Sequence, residues 1–470
     1  DLGAGKTTFA KFLIQAYADD PALPVPSPTF TLVERYDLPR GVVHHADLYR
    51  IETPGEVDEL GIDEALEEGV TLVEWPERAS GLLAGNALMI TLEAAATADQ
   101  RSVTLSATPD WKDRLARLKK MSGFLESAVS EDADIRYLQV DASARRYARI
   151  VENGRSAILM DSPEQSDGPP VKDGKPYSAI AHLAENVTPF VAVAQALDAA
   201  GVRVPRIHAA DLKEGFLIID DLGDRVFGTE IANGADLQSL YSKACDVLLH
   251  LRQNEAPEVI ELSGGITHRI PAFDQPAFAI ETRLLTDWYI PAVTGAPIAD
   301  AAAETFEAIW QDLYRHVSGH AHWVLRDFHS PNLIHLPGEN GLASVGVIDF
   351  QDAMRGHAAY DLASLLQDAR LDVSPSIEAV LLDRYCTIAG NAPSFDETEF
   401  RRAYAIFGAQ RNTKILGIFA RLAKRDGKSA YLAHIPRIWG YLERNLRHED
   451  LSPLKAWYDT NLPAERRQIP

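Results

Sequence analysis

Apolar and polar positions alternate along Ala87-Leu88-Met89-Ile90-Thr91-Leu92-Glu93, the period of two expected of a strand with one buried face. An Ala/Thr-rich stretch through Ala98 and a second strand pattern, Arg101-Ser102-Val103-Thr104-Leu105, follow. The period then changes. From 110 to about 128 the apolar residues Trp111, Leu115, Leu118, Met121 and Leu125 recur at helical spacing with basic residues between them, which predicts an amphipathic helix opening a second structural unit. A boundary is therefore expected near Thr108-Pro109, giving domains over 1–108 and 109–470.

In the second unit, residues 146–151 and 156–160 read as strands joined by Asn153-Gly154, a dipeptide that tolerates the positive φ of a tight hairpin turn. The segment 163–176, rich in Pro, Gly and Asp, is expected to be a mobile loop. Helical spacing runs from Pro189 to Ala200, and Gly215-Phe216-Leu217-Ile218-Ile219 is a buried strand entering Asp220-Asp221-Leu222-Gly223. Beyond it the pattern is mainly helical, and no internal repeat is present.

Size and charge narrow the classes. A chain of 470 residues exceeds what one hydrophobic core usually supports, so two or more domains are expected. The net charge of -22 opposes non-specific attraction to nucleic acid and anionic membranes. Cys245 and Cys386 are far apart and outside metal-ligand spacing, which leaves a disulfide framework or zinc site unsupported. His316, His320 and His322 read as ordinary histidines. No uninterrupted apolar run of membrane-spanning length and no signal core are found, and a cytoplasmic location is expected.

The candidate chemistry lies in Arg326-Asp327-Phe328-His329-Ser330-Pro331-Asn332 followed by Val347-Ile348-Asp349-Phe350. An Asp, an Asn five residues later and a second Asp beyond fit phosphoryl transfer: the first orients and deprotonates an acceptor hydroxyl, and the other two hold metal on the phosphates. Asp327, Asn332 and Asp349 fill these roles in order, with ATP and Mg2+ as the implied cofactors.

With the further run Tyr360-Asp361-Leu362-Ala363, this segment resembles the aminoglycoside-phosphotransferase-like kinases. Asp-Phe-His-Ser-Pro-Asn and the upstream Asp141-Ala142-Ser143-Ala144-Arg145-Arg146-Tyr147 look most like the cell-wall sugar kinases that phosphorylate the anomeric hydroxyl of N-acetylmuramate and N-acetylglucosamine. The resemblance implies a two-lobed α+β protein-kinase-like fold. Its sheet lobe would cover about 135–220, its hinge 220–223 and its helical lobe about 224–470. Ser143, Arg145 and Arg146 would lie in the turn over the nucleotide phosphates, and Asp361 would organise the catalytic loop by hydrogen bonding. Such kinases carry Lys where Met160 ends its strand here, so phosphate charge must be met by Mg2+, backbone amides, Arg145 or Arg146. Gln351, Asp352, Arg411 and Asn412 are candidates for sugar contact. Leu325-Arg326-Asp327 in place of His-Gly-Asp argues against an aminoglycoside acceptor.

The chain opens on Asp1-Leu2-Gly3-Ala4-Gly5-Lys6-Thr7-Thr8, the later part of a P-loop whose first glycine would precede Asp1. In the motif, loop amides at a helix N-terminus cradle phosphates, Lys reaches the outer phosphate oxygens and Thr takes Mg2+. Ser27-Pro28-Thr29-Phe30-Thr31-Leu32, His45-Ala46-Asp47-Leu48-Tyr49-Arg50 and Val73-Glu74-Trp75-Pro76-Glu77-Arg78 follow, and together the motifs resemble the TsaE ATPases that assist threonylcarbamoyl modification of tRNA. The resemblance implies an α/β P-loop NTPase-like domain. Gly3, Gly5, Lys6, Thr7, Thr8 and Trp75 would meet nucleotide, Thr7 and Asp47 would meet Mg2+, Thr29 would sit in a switch-like loop, and Glu74 would serve hydrolysis. Because the given sequence starts inside the motif, ATPase activity of this domain is left open.

The leading expectation is an ATP-dependent amino-sugar kinase joined to a TsaE-like domain that meets tRNA-modification proteins, with no direct nucleic-acid binding. Two other readings stand beside it: a kinase of the same superfamily for an aminoglycoside, choline-like or homoserine-like acceptor, and a nucleotide-dependent interaction module of the tRNA-modification assembly.

Overall fold

In the computed structural model, which describes residues 3–79, 87–95, 97, 100–130, 133–138 and 145–470, the alternating segment forms Leu88–Ala94. It pairs antiparallel with Arg101–Ala107 as a separate hairpin. The same unit holds a three-stranded sheet. Gly41–Asp47 lies in its middle, antiparallel to Val33–Leu38 and parallel to Val70–Glu74. Ala46, Leu48, Ile51, Val57 and Ile62 form a small core there. Helix Lys6–Ala18 starts at Gly5, whose φ of 98° favours a residue without Cβ. The amphipathic helix forms as Pro109–Ala128. The chain divides by packing at Ser127/Ala128, so this helix groups with the first unit rather than opening the second.

The second unit, Ala128–Pro470, begins with a five-stranded antiparallel sheet. Its order is Ile207–Asp211, Phe216–Asp220, Arg155–Asp161, Arg146–Glu152, Asp134–Tyr137. The central hairpin turns at Asn153 and Gly154, with φ of 50° and 74°, as the dipeptide predicts. The polar segment is more ordered than expected: Pro170–Lys172 and Lys175–Pro176 pair around Asp173-Gly174, which also has positive φ. That Asp-Gly was a turn signal.

Past the strand Phe216–Asp220 a helical lobe carries most of the apolar core. Its longest element is Glu397–Asp426, capped by the Asp396 carboxylate, which accepts from Glu399 N–H, and closed by Gly427 at φ 68°. Gly417 in this helix faces the backbone of Leu284, at the end of helix Gln275–Leu284, so closely that a Cβ would collide with that carbonyl. Among the described residues no helix is long and apolar enough to cross a membrane.

Candidate active site

The catalytic run leaves strand His322–Val324, which pairs with Met354–Gly356, and ends at strand Leu333–His335, which pairs with Val345–Val347 in a separate two-stranded sheet. Between them Arg326 takes φ 68°, a conformation that costs an L-residue roughly 1–2 kcal/mol. The buried Asp361 carboxylate holds it there, accepting from Leu325 N–H at 2.6 Å and Arg326 N–H at 3.0 Å. Burial nevertheless pushes Asp361 up to about 7. Asp327 follows directly, with 41% of its side chain exposed to the cleft. Burial alone would raise its carboxyl, but Lys414, His329, Arg411 and Arg326 more than offset that and keep it below the usual carboxylate value.

Asn332, in the turn Ser330–Asn332, and Asp349, just past the strand Val345–Val347, stand with it. Asn332 Nδ2 donates to Asp327 O at 3.0 Å and lies 3.4 Å from Asp349 Oδ2. Asp349 Oδ1 accepts from Gln351 Nε2 at 3.0 Å and from Arg145 at 2.9 Å. Gln351 thus points to Asp349, and its buried Oε1 has no hydrogen-bond partner. Met160, where a lysine was expected, is buried in the sheet between Tyr147 and Leu217. Arg145 crosses to Asp349 instead, whereas Arg146 is exposed opposite Asp161. Ser143 lies outside the described residues.

A second cluster, not anticipated from the sequence, stands beside Asp327. Glu281 is fully buried and takes ion pairs from Arg326 and from Lys414, the latter at 2.8 Å, while Gln410 donates to its other oxygen at 2.8 Å. Burial would raise Glu281, and Lys414 and Arg326 hold it below the usual carboxylate range. Arg326 also donates to Ala181 O at 2.9 Å, and Asp352 accepts from Ala184 N–H at 2.7 Å. Burial raises Asp352 despite Arg326. Tyr177, nearby, is pushed up to about 12 by burial and Glu281.

The two sugar-contact candidates on the long helix part company. Arg411 is 5% exposed, acts electrostatically on Asp327 and leaves NH1 unpartnered. Asn412 turns into a buried amide network, donating to Gln367 Oε1 and Gly408 O, both at 2.8 Å.

Of the paired histidines, His320 comes together with His357 and Glu399, with ligand atoms within 4.8 Å of one another. His357 Nδ1 accepts from Ala359 N–H, so its Nε2 keeps the proton and donates to Glu399 at 3.0 Å. That tautomer offers no lone pair to a metal.

In the first unit the helix start faces the ends of two parallel strands. Thr7 Oγ1 donates to Glu74 Oε2 at 2.9 Å, and the buried His45 meets Glu74 Oε1 at 3.0 Å. Thr29 donates to Asp47 at 2.8 Å, and Lys6 Nζ stands 3.9 Å from the centre of the Trp75 ring. Thr7, Glu74, Lys6 and Trp75 are therefore brought together, with Thr29 on Asp47 one strand over. Gly3 and Gly5 have the positive φ of a loop that curls its amides inward, and Thr8 is exposed. His45, two residues before Asp47 on the same strand, joins this group through Glu74.

A carboxylate to take a hydroxyl proton, beside an Asn and an Asp fit to hold a hard cation, defines a phosphotransferase. Residues 134–403 match the model described as phosphotransferase enzyme family, and the chain belongs to that family, in the branch formed by its kinase relatives. N-acetylmuramate/N-acetylglucosamine kinase of Caulobacter vibrioides is 38% identical over 359 residues, covering 74% of this chain and 97% of that protein. The kinase of the same name from Pseudomonas aeruginosa is 33% identical, covering 70% and 91%. Residues 1–103 match the threonylcarbamoyl adenosine biosynthesis protein TsaE. The TsaE protein of Rickettsia bellii is 42% identical over 83 residues, 18% of this chain and 57% of that protein. The chain thus joins a TsaE-type α/β P-loop unit to a two-lobed α+β kinase unit, and spans little more than half the length of the TsaE relative.

Proposed function

We propose that the second unit, Ala128–Pro470, forms an ATP-dependent kinase that phosphorylates the anomeric hydroxyl of N-acetylmuramate or N-acetylglucosamine, in the cytoplasm, as a step of cell-wall sugar recycling. The observation that carries this is the convergence of Asp327, Asn332 and Asp349 on one cleft, in a chain whose relatives bear the name of that kinase. Asp327 accepts the proton of the C1 hydroxyl as the hydroxyl oxygen bonds to the γ-phosphorus of ATP and the bond from that phosphorus to the bridging oxygen breaks, releasing ADP. Its depressed pKa keeps it ionised, so it serves chiefly to orient the hydroxyl and takes the proton late. Asn332 and Asp349 supply the hard oxygen donors that suit Mg2+, and the guanidinium already resting on Asp349 marks that carboxylate as a cation site. Bound Mg2+ would neutralise phosphate charge as the transfer proceeds. Arg145 supplies the fixed cation that Met160 cannot.

The cations Arg326, Lys414 and Arg421 around Tyr177 disfavour a cationic acceptor of the aminoglycoside or choline kind. For the first unit, the reading is a nucleotide site in which Lys6, Thr7, Trp75, Asp47 and Glu74 meet phosphate, base and Mg2+, serving an assembly that modifies tRNA. The experiment is phosphorus NMR of the chain with Mg-ATP and each amino sugar. A new anomeric phosphate, lost in Asp327→Asn, is the expected result; no sugar phosphate from folded, ATP-binding protein sinks the assignment.

A further inference from the structure

We infer that Arg421, standing over Tyr177 on the acceptor side of the kinase cleft, is a carboxylate subsite that selects the acidic amino sugar, N-acetylmuramate, over the neutral N-acetylglucosamine. This rests on the amino-sugar kinase reading above and names the residue that divides its two acceptors.

The cations around the cleft differ in how they are satisfied. Arg326 and Lys414 share Glu281, and Arg145 lies on Asp349. Arg421 is different. Its guanidinium carbon lies 5.4 Å from the centre of the Tyr177 ring, its buried Nε has no hydrogen-bond partner, and among the described residues it forms no ion pair. The carboxylate that acts on it, Asp426, is already held by Arg425 at 2.7 and 2.9 Å. Burial accordingly depresses the Arg421 guanidinium below its ordinary value. A half-buried cation without a counter-ion is costly to the fold, and an anion that arrives with the acceptor removes that cost.

Placement agrees. Arg421 and Lys414 are seven residues apart in helix Glu397–Asp426, two turns along one face. Lys414 is the strongest of the cations acting on Asp327, and both it and Arg421 act on Tyr177. The helix face therefore leads from the phosphoryl-accepting hydroxyl toward Arg421. Arg411 also has an unpartnered nitrogen, but it is buried at 5% exposure, whereas Arg421 is partly exposed. The two acceptors differ only in the lactyl ether on C3, two ring carbons from the reacting C1. A planar guanidinium grips such a carboxylate with two parallel N–H donors, and the Tyr177 phenol, protonated at neutral pH, adds a donor nearby.

The test is steady-state kinetics of the full chain with N-acetylmuramate, its uncharged lactamide and N-acetylglucosamine, for wild type, Arg421→Met and Arg421→Lys. In wild type the lactamide should lose roughly 10- to 100-fold in kcat/KM against the acid, mostly in KM. Arg421→Met should lose a similar factor with the acid and far less with the two neutral acceptors; Arg421→Lys should recover part of it. Equal losses on all three acceptors, or a lactamide as good as the acid, overturn the inference. The lactamide comparison needs no variant, so a poorly folding Arg421→Met does not spare it. Wild type that phosphorylates N-acetylglucosamine keeps the kinase reading whatever happens at Arg421; wild type that phosphorylates none of the three overturns both.

Discussion

Replacing Glu281 by Gln removes one buried charge and almost no volume. Arg326 and Lys414 would then face each other across a neutral amide, with Arg326 3% exposed and Lys414 nearly as enclosed. Removing one partner of a buried ion pair costs about 3–5 kcal/mol. Spread over a unit of Ala128–Pro470, with about 2.1 cal/mol/K of unfolding entropy per residue, this lowers Tm by about 4–7 °C. Calorimetry of the whole chain, following the transition of the larger unit, reads it. The pH dependence has a definite sign. Lys414 and Arg326 hold Glu281 below its usual 4.5 despite burial. Its contribution is thus complete above that value and is lost as pH falls through the lower folded value. The gap between wild type and Glu281→Gln should be full at pH 7 and should narrow below about pH 4.5. Adding Lys414→Met to Glu281→Gln should restore about 1 kcal/mol or more through coupling. A Tm within 1 °C of wild type at pH 7, about 0.7 kcal/mol on the same conversion, or additive single effects, refutes the shared-carboxylate account.

Three further outcomes follow from the same geometry. Arg145→Met should raise KM for Mg-ATP roughly tenfold, the loss of one charge-assisted contact, with a smaller change in acceptor KM; equal changes in both would contradict its phosphate role. Lys414→Met removes the main cation holding Asp327 down, so Asp327 should titrate higher and the acid limb of kcat/KM should move to higher pH, an effect read directly from a pH–rate profile. Asp361→Asn sets an amide N–H2 against the N–H of Leu325 or Arg326 and should cut kcat at least roughly tenfold by releasing the catalytic loop; a kcat near wild type would show that the loop holds Arg326 at φ 68° unaided.

The central triad was legible because its three members lie within 23 residues of sequence, on a turn and just past the strand that follows it. Arg145 was half legible: the missing lysine at Met160 called for a cation, but only the fold separates Arg145, turned to Asp349, from its exposed neighbour. Asn412 parts from Arg411 because consecutive helical residues point about 100° apart and its amide is taken up by Gln367 and Gly408. Glu281, Lys414, Arg421 and Tyr177 come from three distant segments, and their meeting is a tertiary fact. One signal was available: Phe278, Glu281 and Leu284 share a helical face, and a carboxylate in an apolar stripe asks for buried partners.

Gly417 gives this arrangement an indirect adjustment. It lies between Lys414 and Arg421 on one helix and abuts Leu284, three residues beyond Glu281 on the other. The two helices can approach only as near as that missing side chain allows. A single methyl group at 417 would therefore act as a shim: it would pry Lys414 from Glu281 and tilt Arg421 against Tyr177 without altering any charged residue. A change at 417 would thus shift the Lys414–Glu281 pair and the Arg421–Tyr177 contact together, from a position packed against Leu284.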